Sequence, residues 1–417
     1  MSVTISAQTV VELPPAIAGG TPAKQTPYGK ERRYGEEELA ELEAALQQET
    51  LFYAQGKKVH QLEADFANKN GVDYAIATSS GTASIHAALI AAEISPGDEV
   101  LVSPITDMGS IAPILYQGAV PVFVDLDPRT YTITPAAVEA AITPQTRAIL
   151  AVHLGGNACD LAGLTALAAR HNLVLIEDCA QAFGCTYQGK PIGTIGAMGC
   201  FSYNEFKHIS SGDGGLVITN DEQLALRLRL ATDKAYNRTA QGTERNPTFL
   251  ANNYRMTELQ GAVAVAQLPK LDSIVARRRA WCGALSEQLA DLPGLLLPQE
   301  TPGCDSSWWF YMMRVVPEEL GADATEFAAA LSAEGLRVSA HYIGQCIYEY
   351  PIFTEHSAFA RGEHAYMQRQ YGKGLCPEAE AILATCVTLA INQAYTDTDL
   401  AETVTAVRRV VAWFQQR

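Results

Sequence analysis

One lysine in this chain is set up to act as a nucleophile. Lys207 closes the stretch Phe201-Ser202-Tyr203-Asn204-Glu205-Phe206-Lys207, which runs on into Ser210-Ser211-Gly212-Asp213-Gly214-Gly215. Phe201 to Tyr203 read as the end of a short buried strand, and Leu216 to Thr219 as a second strand beyond a glycine-rich turn. An amine walled in by apolar and aromatic neighbours loses hydration, which lowers its pKa and frees the neutral nucleophile. Schiff-base formation with a carbonyl compound needs that form. A single lysine on such a loop is more often a plain surface charge, so the assignment turns on the rest of the chain.

Two other stretches carry compatible chemistry. Tyr74 to Thr78 reads as a short buried strand, followed by Ser79-Ser80-Gly81-Thr82-Ala83-Ser84 and an apolar helix through Ala91. A strand, a small-residue turn and a helix start make an anion cradle, because the first-turn N–H groups are unpaired and the helix dipole is positive there. A serine that only caps the helix is the commoner use of such a turn. Glu177-Asp178 follows the apolar run Leu173 to Ile176, where a carboxylate either caps the next helix or pairs with a cationic ligand atom. Gln181 shares that rim. His153, at the end of another strand, reads as a structural histidine, and Gly193, Gly196 and Gly199 read as turn glycines.

Positioning these residues requires a sheet. Apolar runs at Glu99–Val102, Val120–Asp125, Arg147–His153 and Leu173–Ile176 alternate with helical segments at Ser110–Gln117, Thr134–Ile142 and up to His171, which Asp160 caps. Continuous rather than alternating hydrophobicity is the mark of a parallel sheet covered on both faces. The expected fold class is therefore a three-layer α/β/α architecture, with ligands gathering at the carboxyl ends of the strands. Residues 1–30 read as an extended arm, 31–271 as a large α/β domain and 272–417 as a smaller C-terminal α+β domain. The helix Asp272–Leu289 bridges the two. Trp308–Val316 and Arg337–Tyr342 are expected strands of the smaller domain. Residues from Lys234 to Asn246 form a polar loop with no periodicity.

Composition narrows the function. At 417 residues the chain exceeds what one core serves. A net charge of −16 argues against nucleic acid as a partner. No run approaches the ~20 apolar residues of a membrane span, and no export signal is evident. Nine cysteines without a Cys-x-x-Cys pair suit scattered thiols in a reducing cytoplasm. No metal-binding spacing and no Walker-type phosphate loop occurs.

Taken in order, Gly19-Gly20-Thr21-Pro22, Ser79-Ser80-Gly81-Thr82, Glu177-Asp178-Cys179-Ala180-Gln181, Phe201-Ser202 with Lys207, Gly212-Asp213-Gly214-Gly215, Asn253-Tyr254-Arg255-Met256 and His341-Tyr342 closely resemble the DegT/DnrJ/EryC1/StrS aminotransferases. These are pyridoxal-phosphate-dependent enzymes of the aspartate-aminotransferase fold type, and the resemblance covers nearly the whole chain. It implies that Lys207 forms the Schiff base with pyridoxal 5′-phosphate and that Asp178 pairs with the pyridinium nitrogen. It further implies that Gln181 bonds the phenolic oxygen, that Gly81, Thr82 and Ser202 hold the phosphate, and that Asn253 reaches the phosphate of a neighbouring subunit in a homodimer. Tyr342 falls near the family's sugar site.

The implied reaction moves an amino group from glutamate or glutamine to a keto-sugar or keto-cyclitol. The alternatives are a sugar dehydratase, in which the family replaces the lysine with histidine, and a homologue that binds the cofactor without turnover. One departure stands out. Where the family usually sets an aromatic ring against the cofactor, this chain has Asp107, and an acid cannot stack; Asp107 therefore joins Tyr342 as an expected substrate-side residue.

Overall fold

The computed structural model describes residues 14–239 and 242–417. The first thirteen residues of the expected arm lie outside that range. The rest of the arm is fixed to the far end of the chain: the amides of Ala16 and Ala23 donate to the Glu334 carboxylate, and buried Lys24 pairs with Asp399 at 2.8 Å and Glu402 at 2.6 Å.

Seven strands form the central sheet. From one edge their order is Tyr74–Thr78, Gly215–Thr219, Met198–Ser202, Val174–Asp178, Thr146–Val152, Glu99–Val102 and Val120–Phe123. The strands from Met198–Ser202 onward are parallel, and the first two pair antiparallel. Their side chains are buried almost throughout, as a sheet sandwiched between helices requires. The helix Gly81–Ala91 explains why amphipathic periodicity is faint here: ten of its eleven residues are buried, so it is apolar all round.

A second sheet contains Leu295–Leu296, Phe310–Val315, Cys386–Ala390 and Val338–Ala340 in that order, with all three pairings antiparallel. It packs with the helices Leu271–Leu289, Ala324–Ala333 and Asp397–Phe414 around its own core. Between these strands the chain returns to the first core, where Cys346, Tyr348, Phe353, Tyr366 and Ile382 are buried.

Several boundaries differ from the sequence-based expectation for local reasons. The strand expected to end at Ile176 runs through Asp178, because Glu177 and Asp178 continue its ladder with Gly199 and Cys200. The helix expected from Ser110 starts at Met108, capped by Asp107, whose carboxylate accepts from the Gly109 amide. Trp308, His341 and Tyr342 have φ of 52°, 63° and 42°, and such left-handed backbone shortens both expected strands. Gly199 sits within a strand rather than a turn, and a Cβ there would meet Gly193 Cα at 2.3 Å. The polar loop after Lys234 includes a short hairpin, Asn237–Thr239 with Gly242–Glu244.

Candidate active site

The carboxyl ends of the central strands open into a cavity of about 370 Å³. Gly81, Thr82, Asp107, Asp178, Gln181, Ser202 and Lys207 all line it, drawn from four separate segments of the sequence. One end of the cavity is built on the helix Gly81–Ala91. Ser80 caps that helix by accepting from the Ala83 amide at 3.1 Å, while the Gly81 and Thr82 amides belong to the first turn and have no intrahelical acceptor. Ser202, from the strand alongside, approaches so closely that a Cβ on Gly81 would meet Ser202 Cβ at 2.6 Å. Glycine is required at 81 for that approach.

Asp178 is the last residue of its strand, and its side chain is buried. Ser110 Oγ donates to Oδ2 at 2.6 Å and the Ala180 amide to Oδ1 at 3.0 Å. Burial lifts the Asp178 pKa above the ordinary carboxylate range, and these two donors together with Lys207 pull the other way. Lys207 is shifted oppositely: burial lowers its pKa, while Asp178 and Asp107 favour its charged form.

Gln181 is oriented by a contact that no linear pattern reveals. The Gly155 amide donates to Gln181 Oε1 at 2.8 Å, which leaves the Nε2 hydrogens as the side chain's donors. Gly155 has φ of 65°, and a Cβ there would meet the Phe310 ring at 2.8 Å. Tyr342 stands just outside the cavity lining, its ring 4.9 Å from that of Phe310. Burial raises its hydroxyl pKa and the Gln181 side chain opposes the shift. Asn253 lies away from this cavity, exposed, its backbone bridged to Asp233.

Beneath the rim, Glu177 is fully buried and holds the strand end in place. Its oxygens accept from the amides of Gly193, Ile195 and Gly196 at 2.6–2.9 Å and from His153 Nε2 at 3.0 Å. His153 Nδ1 accepts from the Cys159 amide, so the ring proton sits on Nε2. His153 is thus a structural histidine, with an acidic partner on the neighbouring strand. Sequence reasoning missed three cavity residues that matter: Ser110, Thr106 (whose hydroxyl pairs with that of Ser110 at 2.8 Å) and Trp309, from the second sheet's side of the chain. No short-range signal marks Trp309, which is over a hundred positions from Lys207.

Comparison with known proteins identifies the family. The model of the DegT/DnrJ/EryC1/StrS aminotransferase family matches residues 32–408. The Bacillus subtilis spore coat polysaccharide biosynthesis protein SpsC is 32% identical over 386 residues, covering 90% of this chain and 95% of its own. GDP-perosamine synthase of Caulobacter vibrioides is 40% identical over 265 residues, 62% of this chain and 70% of that protein. Among solved structures, S. venezuelae DesV superposes with a TM-score of 0.79 at 32% identity over 90% of this chain and 94% of DesV. A mostly parallel sheet, a lysine and a carboxylate on one cavity, and a match across 32–408 lead to one conclusion: this chain belongs to the DegT/DnrJ/EryC1/StrS aminotransferase family and is a pyridoxal-phosphate-dependent aminotransferase.

Proposed function

We propose that the protein transfers an amino group from glutamate or glutamine to a keto-sugar, nucleotide-linked, or to a keto-cyclitol, with Lys207 as the covalent anchor of the cofactor and as the proton carrier. The observation that carries this is the convergence of the Lys207 amine, the Asp178 carboxylate and an open helix N-terminus on one cavity. The residues fit pyridoxal phosphate. Gly81 and Thr82 offer amide donors and Ser202 a hydroxyl for the phosphate, Asp178 an anion for the ring nitrogen, and Gln181 a donor for the phenolic oxygen. When bound, the cofactor supplies an electron sink that stabilises negative charge at the substrate carbon.

Asp178, as an anion facing the ring nitrogen, would hold a proton there. Lys207 Nζ, whose pKa burial lowers, takes the proton from the donor's α-carbon in its neutral form and delivers it again from the same side of the cavity. Asp107, Asp213 and Asn204 provide hydroxyl acceptors, and Phe206 and Trp309 an apolar wall, which suits a polyol ring. The names of SpsC and GDP-perosamine synthase support the sugar class. Asp107 has an ordinary use as the cap of the helix that follows it.

A homodimer with shared sites is part of this proposal. Among the described residues lining the cavity, Lys207 is the one cation against three carboxylates, so the groups that meet an anionic donor come from elsewhere. Asn253 and the apolar Phe206 and Leu250, 75% and 93% exposed, are open to a second copy. Nine buried free thiols support a reducing cytoplasmic setting, and no helix among the described residues is long and apolar enough to cross a membrane.

The test is direct. The purified protein should be yellow, respond spectrally to glutamate or glutamine, and lose both colour and turnover in Lys207→Ala. An alanine variant that stays coloured and active refutes the assignment. A panel of nucleotide-linked ketosugars and keto-inositols, offered to the aminated enzyme, then identifies the acceptor.

A further inference from the structure

The turn that carries Lys207 is held from outside at three consecutive carbonyls. Arg33 donates to Glu205 O and, at 2.8 Å, to Lys207 O. Trp309 Nε1 donates to Phe206 O at 2.8 Å. The Trp309 ring also lies under the Lys207 amine, with Nζ 4.1 Å from the ring centroid. One indole therefore does two things: its edge pins the backbone of the turn, and its face meets the side-chain cation.

The indole is itself braced. Arg278, buried on the helix Leu271–Leu289, donates to the carbonyls of Trp308 and Trp309 at 3.0 and 3.1 Å, and Arg279 donates to those of Asp305 and Ser306. His208, next to the lysine and fully buried, pairs through Nε2 with Ser307 O at 3.0 Å. Segment 305–309 is thus tied to a helix on one side and to the lysine turn on the other.

We infer that Trp309 is a positioning residue for Lys207, its ring face seating the lysine side chain whenever the free amine carries a proton. The inference rests on the proposed role of Lys207. A lysine that acts as base and then as acid must pass through its charged form in a partly desolvated cavity. An indole face attracts a cation through its quadrupole without adding a titratable group or a competing acceptor. The charged and titratable groups facing the amine are Asp178 from its strand, Asp107 from the helix cap and neutral His208 beside it. The two carboxylates favour the ammonium as the ring does, so the ring's share must be isolated.

Fluorination isolates it, because fluorine weakens the ring quadrupole while keeping its shape and hydration nearly constant. The full-length protein, stripped of cofactor, is made with mono-, di- and tetrafluorotryptophan, and the pH dependence of reductive methylation at Lys207 is followed by peptide mass spectrometry. The four tryptophans are all replaced, so the same series in Trp309→Phe serves as the control. The expected result is a stepwise fall in the Lys207 midpoint of about 0.5–1 pH unit across the series, absent from the Trp309→Phe background. A midpoint that does not move with fluorine content, or that moves equally in Trp309→Phe, overturns the inference. Turnover in Lys207→Ala would instead overturn the role of the lysine, while the fluorine series would still report the contact.

Discussion

Ser110 Oγ and Asp178 Oδ2 lie 2.6 Å apart in a buried part of the cavity that also holds Lys207, joining the first helical turn after Asp107 to the end of a central strand. Ser110 also pairs with Thr106 Oγ1, so a short hydroxyl chain ends on the carboxylate that would face the cofactor's ring nitrogen. A hydroxyl donor favours the ionised carboxyl, and burial disfavours it. The balance between them sets how readily Asp178 acts as an anion.

Ser110→Ala removes that donor and leaves a buried carboxylate oxygen without its partner. Hydrogen bonds to charged groups contribute about 1.5–3 kcal/mol, so cofactor affinity is expected to fall by about tenfold or more. Absorbance titration of the cofactor at pH 6 and pH 8 checks this. An unchanged dissociation constant at both values would show that Ser110 does not tune Asp178.

Asp178→Asn separates stability from binding. The folded pKa of Asp178 is raised, so its favourable contribution is complete below the unfolded carboxyl value of about 3.9 and is lost as pH rises through the folded value. In the cofactor-free protein, Asp178→Asn should therefore melt higher than wild type at pH 7, with the difference closing towards pH 4. The same variant should bind cofactor poorly. Thermal unfolding across that range decides; a gap that widens on acidification contradicts the sign.

Gly81→Ala places a Cβ 2.6 Å from Ser202 Cβ, a clash expected to cost about 1–3 kcal/mol and to loosen the phosphate end of the cavity. Adding Ser202→Gly should recover most of the stability, since the two residues share one contact. Urea unfolding of the single and double variants measures the coupling, and strict additivity would rule out the contact as the cause.

Two substitutions at Asp107 divide its roles. Asparagine caps a helix about as well as aspartate, whereas alanine does not, so Asp107→Ala should lose about 1 kcal/mol of stability and Asp107→Asn little. Both remove a charge that favours the Lys207 ammonium, so both should move the acidic limb of the pH–rate profile, where the base becomes protonated, downward. A profile that shifts in the alanine variant alone would point to the cap rather than the charge.

Glu177→Gln turns one oxygen of a saturated carboxylate into a donor facing other donors, among them the Gly193 amide and His153 Nε2. A loss of about 2–4 kcal/mol is expected in urea unfolding. A loss below about 0.5 kcal/mol would mean that the strand end is held by other contacts.

Much of this is legible in the chain itself. Lys207, Asp178, Gln181, Gly81 and Thr82 can be picked out by residue type beside a short apolar run, because a parallel sheet forces such runs and gathers the residues after them on one rim, whereas Ser202 is reached only through the family resemblance. Boundaries are less legible where backbone conformation intervenes. The left-handed residues Trp308, His341 and Tyr342 look like strand formers by type, and the extension of a strand through Glu177-Asp178 depends on pairing with Gly199 and Cys200. Residue types and their spacing set which chemistry the rim carries, since periodicity and composition act over a few residues. Folding decides how that chemistry is held: Gly155 turns the Gln181 amide, Ser110 completes Asp178, and Trp309 reaches Lys207 across 102 positions of chain. Such contacts join side chains brought together only when the sheet and its neighbours pack, so no local pattern encodes them.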